Sequence, residues 1–444
     1  MLAMAVFLQA RYVVCDASRF VEEGGVLIED GQVVAVGRAE ELLRRLPQGC
    51  ERYNFGKAII APALANAHTH AAMTLLRGYA DDMELHTWLT KYIWPVEALL
   101  TGEHIYWGSL LACVEMARTG TAAFCDMYFF MDEVARAVKE VGLRALLSRG
   151  LIGTADKEYD ALREGVDFCA KWHGGAGGRI RCALGPHAPY TCSPDYLAKV
   201  AEEADKLGVQ LVIHVAETVK EPQLIKEQFG KDVDEGVFAY LDHIGFLSER
   251  VVAAHGVWLT RKDLDVLKER RCWLVHCPIS NLKLASGVAP LPRLLKEGVR
   301  VALGTDGPAS NNTLNMFLEM RVAAVLHKGV NLDPVAATAE QVFDLATRQS
   351  MRALGFENSG VIAEGASADI MVVDLQVPWT RPIFSPYSHL VYATTGAEVR
   401  ALMVAGEWVV QDFRIVTVEE ADVMKRAERM AYELVAKVRE CREK

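Results

Sequence analysis

Eight near-continuous apolar runs alternate with helical stretches through the middle of this chain, and nearly every run ends in a polar or ionisable residue. That pattern predicts a (β/α)₈ barrel, whose parallel strands are covered on both faces and whose chemistry sits at their C-terminal ends. Short β-type segments with glycine turns at both termini predict a second, smaller unit, a composite β-sandwich built from the two ends of the chain. The 444 residues accommodate both, at roughly 150 residues per ordinary domain.

Residues 1–58 supply the first part of the composite unit. In GGVLIEDGQVVAVG, Asp30 and Gly31 stand between two apolar runs, as in a tight hairpin. The opening MLAMAVFL follows no positively charged stretch and runs into ARYVVCD, so it reads as a strand rather than a signal peptide. Residues 59–360 form the barrel. Its strands lie in KAIIAPALANAHTH, TAAFCDM, LRALLSRG, IRCALGPH, VQLVIHVAET, VVAAHG, CWLVHCP and VRVALGTDG. Residues 361–444 return to β texture in GASADIMVVDL and VRALMVAGEWVVQDFRIVTV, then end in a charged amphipathic helix.

With 51% hydrophobic and 24% charged residues, the chain can bury a large core, which excludes general disorder. A net charge of −10 without a block of like charges argues against a nucleic-acid groove or an anionic membrane surface. No apolar run approaches the roughly 18 residues of a membrane helix. Ten cysteines without a C-x-x-C pair read as small apolar residues in a reducing, cytoplasmic setting.

His68 and His70 end the first barrel strand, and side chains at i and i+2 of a strand share a face. An isolated H-x-H is usually a pair of polar turn residues. Here His214 ends strand five, His255 strand six and Asp306 strand eight, so all can converge on the barrel mouth. Three imidazoles and a carboxylate suit a borderline divalent metal, with zinc bonds of about 2.0 to 2.2 Å. Glu217, three residues after His214, is placed to act on a water beside that metal without ligating it.

These residues lie in ANAHTH, HVAET, AAHGVWL and GTDGPASNNTLNMFLEMR. Together with TWLTKYIWPVE, GPHAPYTCS and HCPISNLKLASG, those stretches resemble the amidohydrolase superfamily and, within it, the 5-methylthioadenosine/S-adenosylhomocysteine deaminases. The resemblance covers most of the chain. It implies one Zn²⁺ or Fe²⁺ on His68, His70, His214 and Asp306, and a mononuclear site because IRCALGPHAPYT lacks a bridging lysine. It implies that Glu217 contacts substrate and protonates the ring nitrogen, that Asp306 accepts the proton of the attacking water, and that His255 orients that water. Glu97 would bind ribose hydroxyls, His187 the nucleoside, and Arg149 the homocysteine carboxylate, while Trp88 lines the pocket and Ser310 adds a hydroxyl near the metal. Arg163 is the nearest counterpart of a second carboxylate-binding arginine, at a shifted spacing, and His276 reads as a buried core histidine.

The implied activity is hydrolytic deamination at C6 of 5-methylthioadenosine, S-adenosylhomocysteine and adenosine. The partner is a small nucleoside rather than nucleic acid or membrane, and a homo-oligomer is compatible with the sequence. The nearest alternative is the same machinery on another leaving group, as in a triazine chlorohydrolase or guanine deaminase. An alternative of another class is a catalytically inactive scaffold, against which the complete ligand set argues.

Overall fold

The computed structural model describes residues 5–83 and 85–443. Eight parallel strands are hydrogen-bonded in chain order: β1 Leu64–Thr69, β2 Thr121–Tyr128, β3 Arg144–Leu151, β4 Ile180–Pro186, β5 Gln210–Val215, β6 Val251–His255, β7 Trp273–His276 and β8 Arg300–Leu303. Every residue of β1, β2, β6 and β7 is buried, which is why these runs carry no polar alternation. The ends of the sheet meet where the Asp306 N–H donates to the His68 carbonyl at 2.9 Å. Asn66 and Thr305 reinforce the junction with two bonds of 2.7 and 2.9 Å. Some helices between the strands begin at polar caps, as when Ser193 accepts from the Tyr196 N–H at 3.2 Å ahead of Pro194–Leu207.

Both termini contribute to one nine-stranded sheet. Val6–Val14, Phe20–Glu29, Gln32–Arg38, Glu51–Asn54 and Ala58–Pro62 come from the first part of the chain, and Ile370–Asp374, Val399–Val404, Glu407–Gln411 and Arg414–Ile415 from the last. The halves join where Ala58–Pro62 pairs antiparallel with Ile370–Asp374. Two tight hairpins use left-handed residues, Asp30 with Gly31 and Ala405 with Gly406. They pack against each other so closely that a Cβ on Gly406 would lie 2.4 Å from the Gly31 Cα. The run KAIIAPALANAHTH, expected as one barrel strand, splits at Ala63. Its first part extends the composite sheet to Pro62, past the expected boundary at 58, because the Ala63 N–H turns to the Asp369 carbonyl and the Leu64 N–H to that of Gly120.

A buried ion pair ties the two units together. Arg144, at the start of β3, donates Nε to both Asp369 oxygens at 3.1 and 3.0 Å, and Asp369 also accepts from the Ala405 N–H at 2.7 Å. Removing one member of such a pair strands the other. Asp369→Ala is therefore expected to lower stability by about 3 to 5 kcal/mol, read by equilibrium denaturation.

The last helix, Glu420–Glu443, lies against Gly102–Arg118, with Arg426 stacked 4.9 Å over the Trp107 ring. Among the described residues no helix is long and apolar enough to cross a membrane.

Candidate active site

The barrel strands deliver their last side chains to one mouth, and three of these positions are held in left-handed backbone: Ala216 at φ +55°, His255 at +79° and Asp306 at +62°. None is glycine or asparagine. Such conformations cost about 1 to 3 kcal/mol each and persist where the surroundings impose them, commonly at functional sites.

At the centre, His68 and His70 from β1, His214 from β5 and Asp306 after β8 face one another. The His70 Nε2 is 3.3 Å from both the His214 Nε2 and the Asp306 Oδ1, and the His68 Nε2 is 3.5 Å from that oxygen. Ligand atoms of His68, His70 and His214 lie within 4.8 Å of one another, as do those of His68, His255 and Asp306. Two rings are fixed from behind: His70 Nδ1 bonds the Met127 carbonyl at 2.7 Å and His214 Nδ1 the His187 carbonyl at 2.6 Å. Each thereby turns its Nε2 inward, as metal-ligating histidines do. Both nitrogens of the fully buried His68 lack a hydrogen-bond partner. An orphaned buried imidazole facing other imidazoles and a carboxylate is costly unless a cation occupies their centre, so the donor set fits a divalent metal.

Protonation fits the same picture. Burial among other imidazoles pushes His68 down to about 4 and His214 well below the usual range. Burial also opposes a charge on His70, but the hydrogen bond and attraction of Asp306 outweigh it and raise that ring to about 9. Burial disfavours the Asp306 anion too, yet the facing His68 and His70 rings hold its carboxyl well below the ordinary carboxylate range. A single centre of positive charge is thus already favoured beside Asp306. The opposite oxygen, Oδ2, accepts from Ser280 at 2.6 Å and Ser310 at 2.9 Å.

Glu217 follows the left-handed Ala216. Its Oε2 stands 3.8 Å from the His255 Nε2, and its Oε1 accepts from Ser286 at 3.4 Å. Burial raises its pKa, a shift that His255 partly offsets. His255 Nδ1 donates to the Asn281 Oδ1 at 2.9 Å.

These groups floor a cleft of about 750 Å³ lined by His70, His187, His214, Glu217, His255, Asp306 and Ser310, with an apolar wall that includes Trp88, Trp94, Phe129 and Ile152. Glu97, at the end of the helix Trp94–Glu97, also lines it and accepts from the Tyr128 hydroxyl at 2.8 Å. His187 is steadied by Thr191 at 3.0 Å. Trp88 is both core and wall, 5% exposed with its Nε1 on the Ala80 carbonyl at 3.0 Å.

Two expected site residues are not part of the cleft lining: His68, fully buried beneath it, and Arg149. Arg149 lies in a neighbouring depression that shares Trp94, Glu97, Phe129 and Ile152 with the cleft. There its Nε meets Glu164 at 2.9 Å and its guanidinium stacks 5.0 Å over Phe129. Arg163 is turned outward to Asp160 and the Glu158 carbonyl. His276 pairs with His327 at 3.0 Å in the core.

Sequence reasoning passed over Ser280, Asn281 and Ser286, which brace Asp306, His255 and Glu217. It also passed over Tyr128, the last residue of β2. The strand-end rule points to Tyr128, and HCPISNLKLASG contains the other three just beyond β7.

Residues 59–409 match the amidohydrolase family, and residues 24–48 match an imidazolonepropionase-like composite domain of bacteria. A 5′-deoxyadenosine deaminase of Methanosarcina mazei is 47% identical over 420 residues, 94% of this chain and 95% of that one. A 5-methylthioadenosine/S-adenosylhomocysteine deaminase of Dictyoglomus thermophilum is 47% identical over 383 residues, 86% of this chain and 89% of that one. Among solved structures, an adenosine deaminase of Xanthomonas campestris with bound zinc superposes at a TM-score of 0.91, with 35% identity over 98% of this chain and 99% of that one. An atrazine chlorohydrolase of Arthrobacter aurescens complexed with zinc shares the fold, at a TM-score of 0.87 and 22% identity over 96% of this chain and 100% of that one. With a match spanning the whole barrel and close relatives along nearly its full length, the chain belongs to the amidohydrolase family.

Proposed function

We propose that this protein hydrolytically deaminates adenosines altered at the 5′ position, 5-methylthioadenosine, S-adenosylhomocysteine and 5′-deoxyadenosine among them, releasing ammonia and the inosine analogue. The observation that carries this reading is a three-histidine, one-aspartate cluster beside the buried Glu217 carboxyl, on the floor of a largely apolar cleft. The names of relatives at 47% identity support the substrate class.

One divalent cation, zinc in the first instance, would be held by His68, His70, His214 and Asp306, and would supply Lewis acidity that brings the pKa of a water towards about 7. β4 carries no lysine to bridge a second ion. Asp306, with its carboxyl braced by Ser280 and Ser310, accepts the proton of the water that attacks C6. Glu217 delivers a proton to the adjacent ring nitrogen, and burial raises its pKa, which favours the protonated form that donates. His255, its ring held by Asn281 through Nδ1, turns Nε2 towards the oxygen that gains charge at C6. The proton held by Asp306 passes to the exocyclic amine, which leaves as ammonia as the C6 hydroxyl gives its proton back to Glu217. Glu97, steadied by Tyr128, accepts the ribose diol, and His187 contacts the nucleoside.

Ammonia release over a substrate panel tests the reading. The named nucleosides and adenosine are expected to yield one ammonia each, with guanine and chlorotriazines inert. Faster turnover of guanine or a chlorotriazine would reassign the substrate, and no turnover of any member would leave a scaffold.

Arg149 reads the charged tail of S-adenosylhomocysteine only by exchanging Glu164 for the substrate carboxylate. Arg149→Ala is expected to cost about 1.5 to 3 kcal/mol in kcat/KM for S-adenosylhomocysteine, with little change for 5-methylthioadenosine. Equal losses for both would make Arg149 a support of the barrel rim.

A further inference from the structure

The turn that carries Glu217 is held from behind by a carboxyl to which the chemistry assigns no part. Glu221 opens the helix Glu221–Phe229 and is 1% exposed, and its Oε2 accepts the Glu217 backbone N–H at 3.0 Å. The other oxygen, Oε1, is buried without a hydrogen-bond partner. An acidic residue in a first helical turn ordinarily stays solvated, where it already benefits from the free N–H groups there. Burying it against the preceding turn needs another reason.

The local backbone supplies one. Left-handed Ala216 folds the chain back so that its carbonyl accepts the N–H groups of Val257 and Trp258 at 2.8 and 3.0 Å. That anchors the carbonyl side of the turn to the loop after β6. On the other side, the Glu217 amide is anchored by Glu221. The two restraints together fix the direction in which the Glu217 side chain leaves the backbone, towards His255 and Ser286. Burial pushes the Glu221 carboxyl up to about 8, against the backbone amides of Ala216 and Glu217 that favour its charge, so the neutral acid dominates at pH 7.

We propose that Glu221 is a positioning residue for the reaction: by accepting the Glu217 amide it holds the Ala216–Glu217 turn in the one orientation that aims the Glu217 carboxyl into the cleft. The inference rests on the reading that Glu217 transfers the proton.

The test compares Glu221→Ala, Glu221→Gln and Glu221→Asp in the metal-loaded enzyme with 5-methylthioadenosine, measuring kcat and KM separately, metal content, and deuterium uptake of residues 214–221. Glu221→Ala is expected to lower kcat by about 10- to 100-fold, as a displacement of about 1 Å does, with KM and metal content nearly unchanged and faster exchange at the Glu217 amide. Glu221→Gln copies the neutral acid and keeps an accepting oxygen, so kcat should return close to that of the parent. Should Glu221→Ala fail to fold, Glu221→Asp decides, since it withdraws the oxygen by one methylene and should slow kcat where Gln does not. Unchanged kcat in folded, metal-loaded Glu221→Ala or Glu221→Asp, or Gln as slow as either, overturns the proposal. An active Glu217→Gln would instead remove its premise, whereas an inactive Glu217→Gln beside a fully active Glu221→Ala removes the positioning role alone.

Discussion

Glu217→Gln is expected to keep its metal and lose about 10²- to 10⁴-fold in kcat, the usual worth of a positioned acid or base. The amide matches the carboxyl in shape and can keep the contact with Ser286, so the cleft should retain its form. It cannot deliver an acidic proton to a ring nitrogen. Glu217 stands outside the histidine and aspartate cluster, and elemental analysis of the variant should find the parent's metal content. Because Glu217 gives up the proton, the parent's kcat/KM should fall as pH rises through the pKa of its carboxyl, which burial lifts above the ordinary glutamate value, and that limb should be absent from the variant. Near-parent turnover would remove Glu217 from the reaction. Loss of metal would make it a ligand.

Asp306→Asn is expected to fail in both respects at once. The carboxylate faces His68 and His70 through one oxygen while two serine hydroxyls hold the other. An asparagine keeps the hydrogen-bonding shape with Ser280 and Ser310 only by turning its NH₂ towards the histidines. Turned the other way, it offers a neutral oxygen to the cation. Metal affinity should drop by more than the 10- to 100-fold typical of losing an outer-sphere partner, and turnover by at least about 10²-fold. Competition with a chelator measures the first and ammonia release the second. Tight metal retention with parent turnover would exclude Asp306 from both roles.

The contrast between these variants follows from positions that the sequence makes visible. His68 and His70 share a face because a strand repeats every two residues, and His214, His255 and Asp306 each end or follow a long apolar run, so barrel geometry alone converges them. The hairpins at Asp30-Gly31 and Ala405-Gly406 are equally local, signalled by an aspartate and glycines that accept left-handed backbone. What stays hidden depends on contacts between distant segments. The break at Ala63 arises because Asp369, from the far end of the chain, takes its N–H. Arg149 has the right place in the sequence to face the cleft, yet Glu164 from the next helix and the Phe129 ring hold it in the adjoining depression. Ser280 and Asn281 lie in the short helix Pro278–Lys283 and Ser286 just beyond it, a stretch too brief for periodicity to tell which side chain turns inward. Glu221 looks like an ordinary helix-starting acid until its burial is known.

The central claim is a reaction that depends on one cation held by His68, His70, His214 and Asp306. The most direct measurement strips the protein with a chelator, verifies removal by elemental analysis, and follows ammonia release from 5-methylthioadenosine as zinc is returned in sub-stoichiometric steps. The account predicts no turnover at the start, a linear rise, and a plateau at one zinc per chain. Undiminished turnover of the stripped protein, or a plateau only at two equivalents, would contradict it.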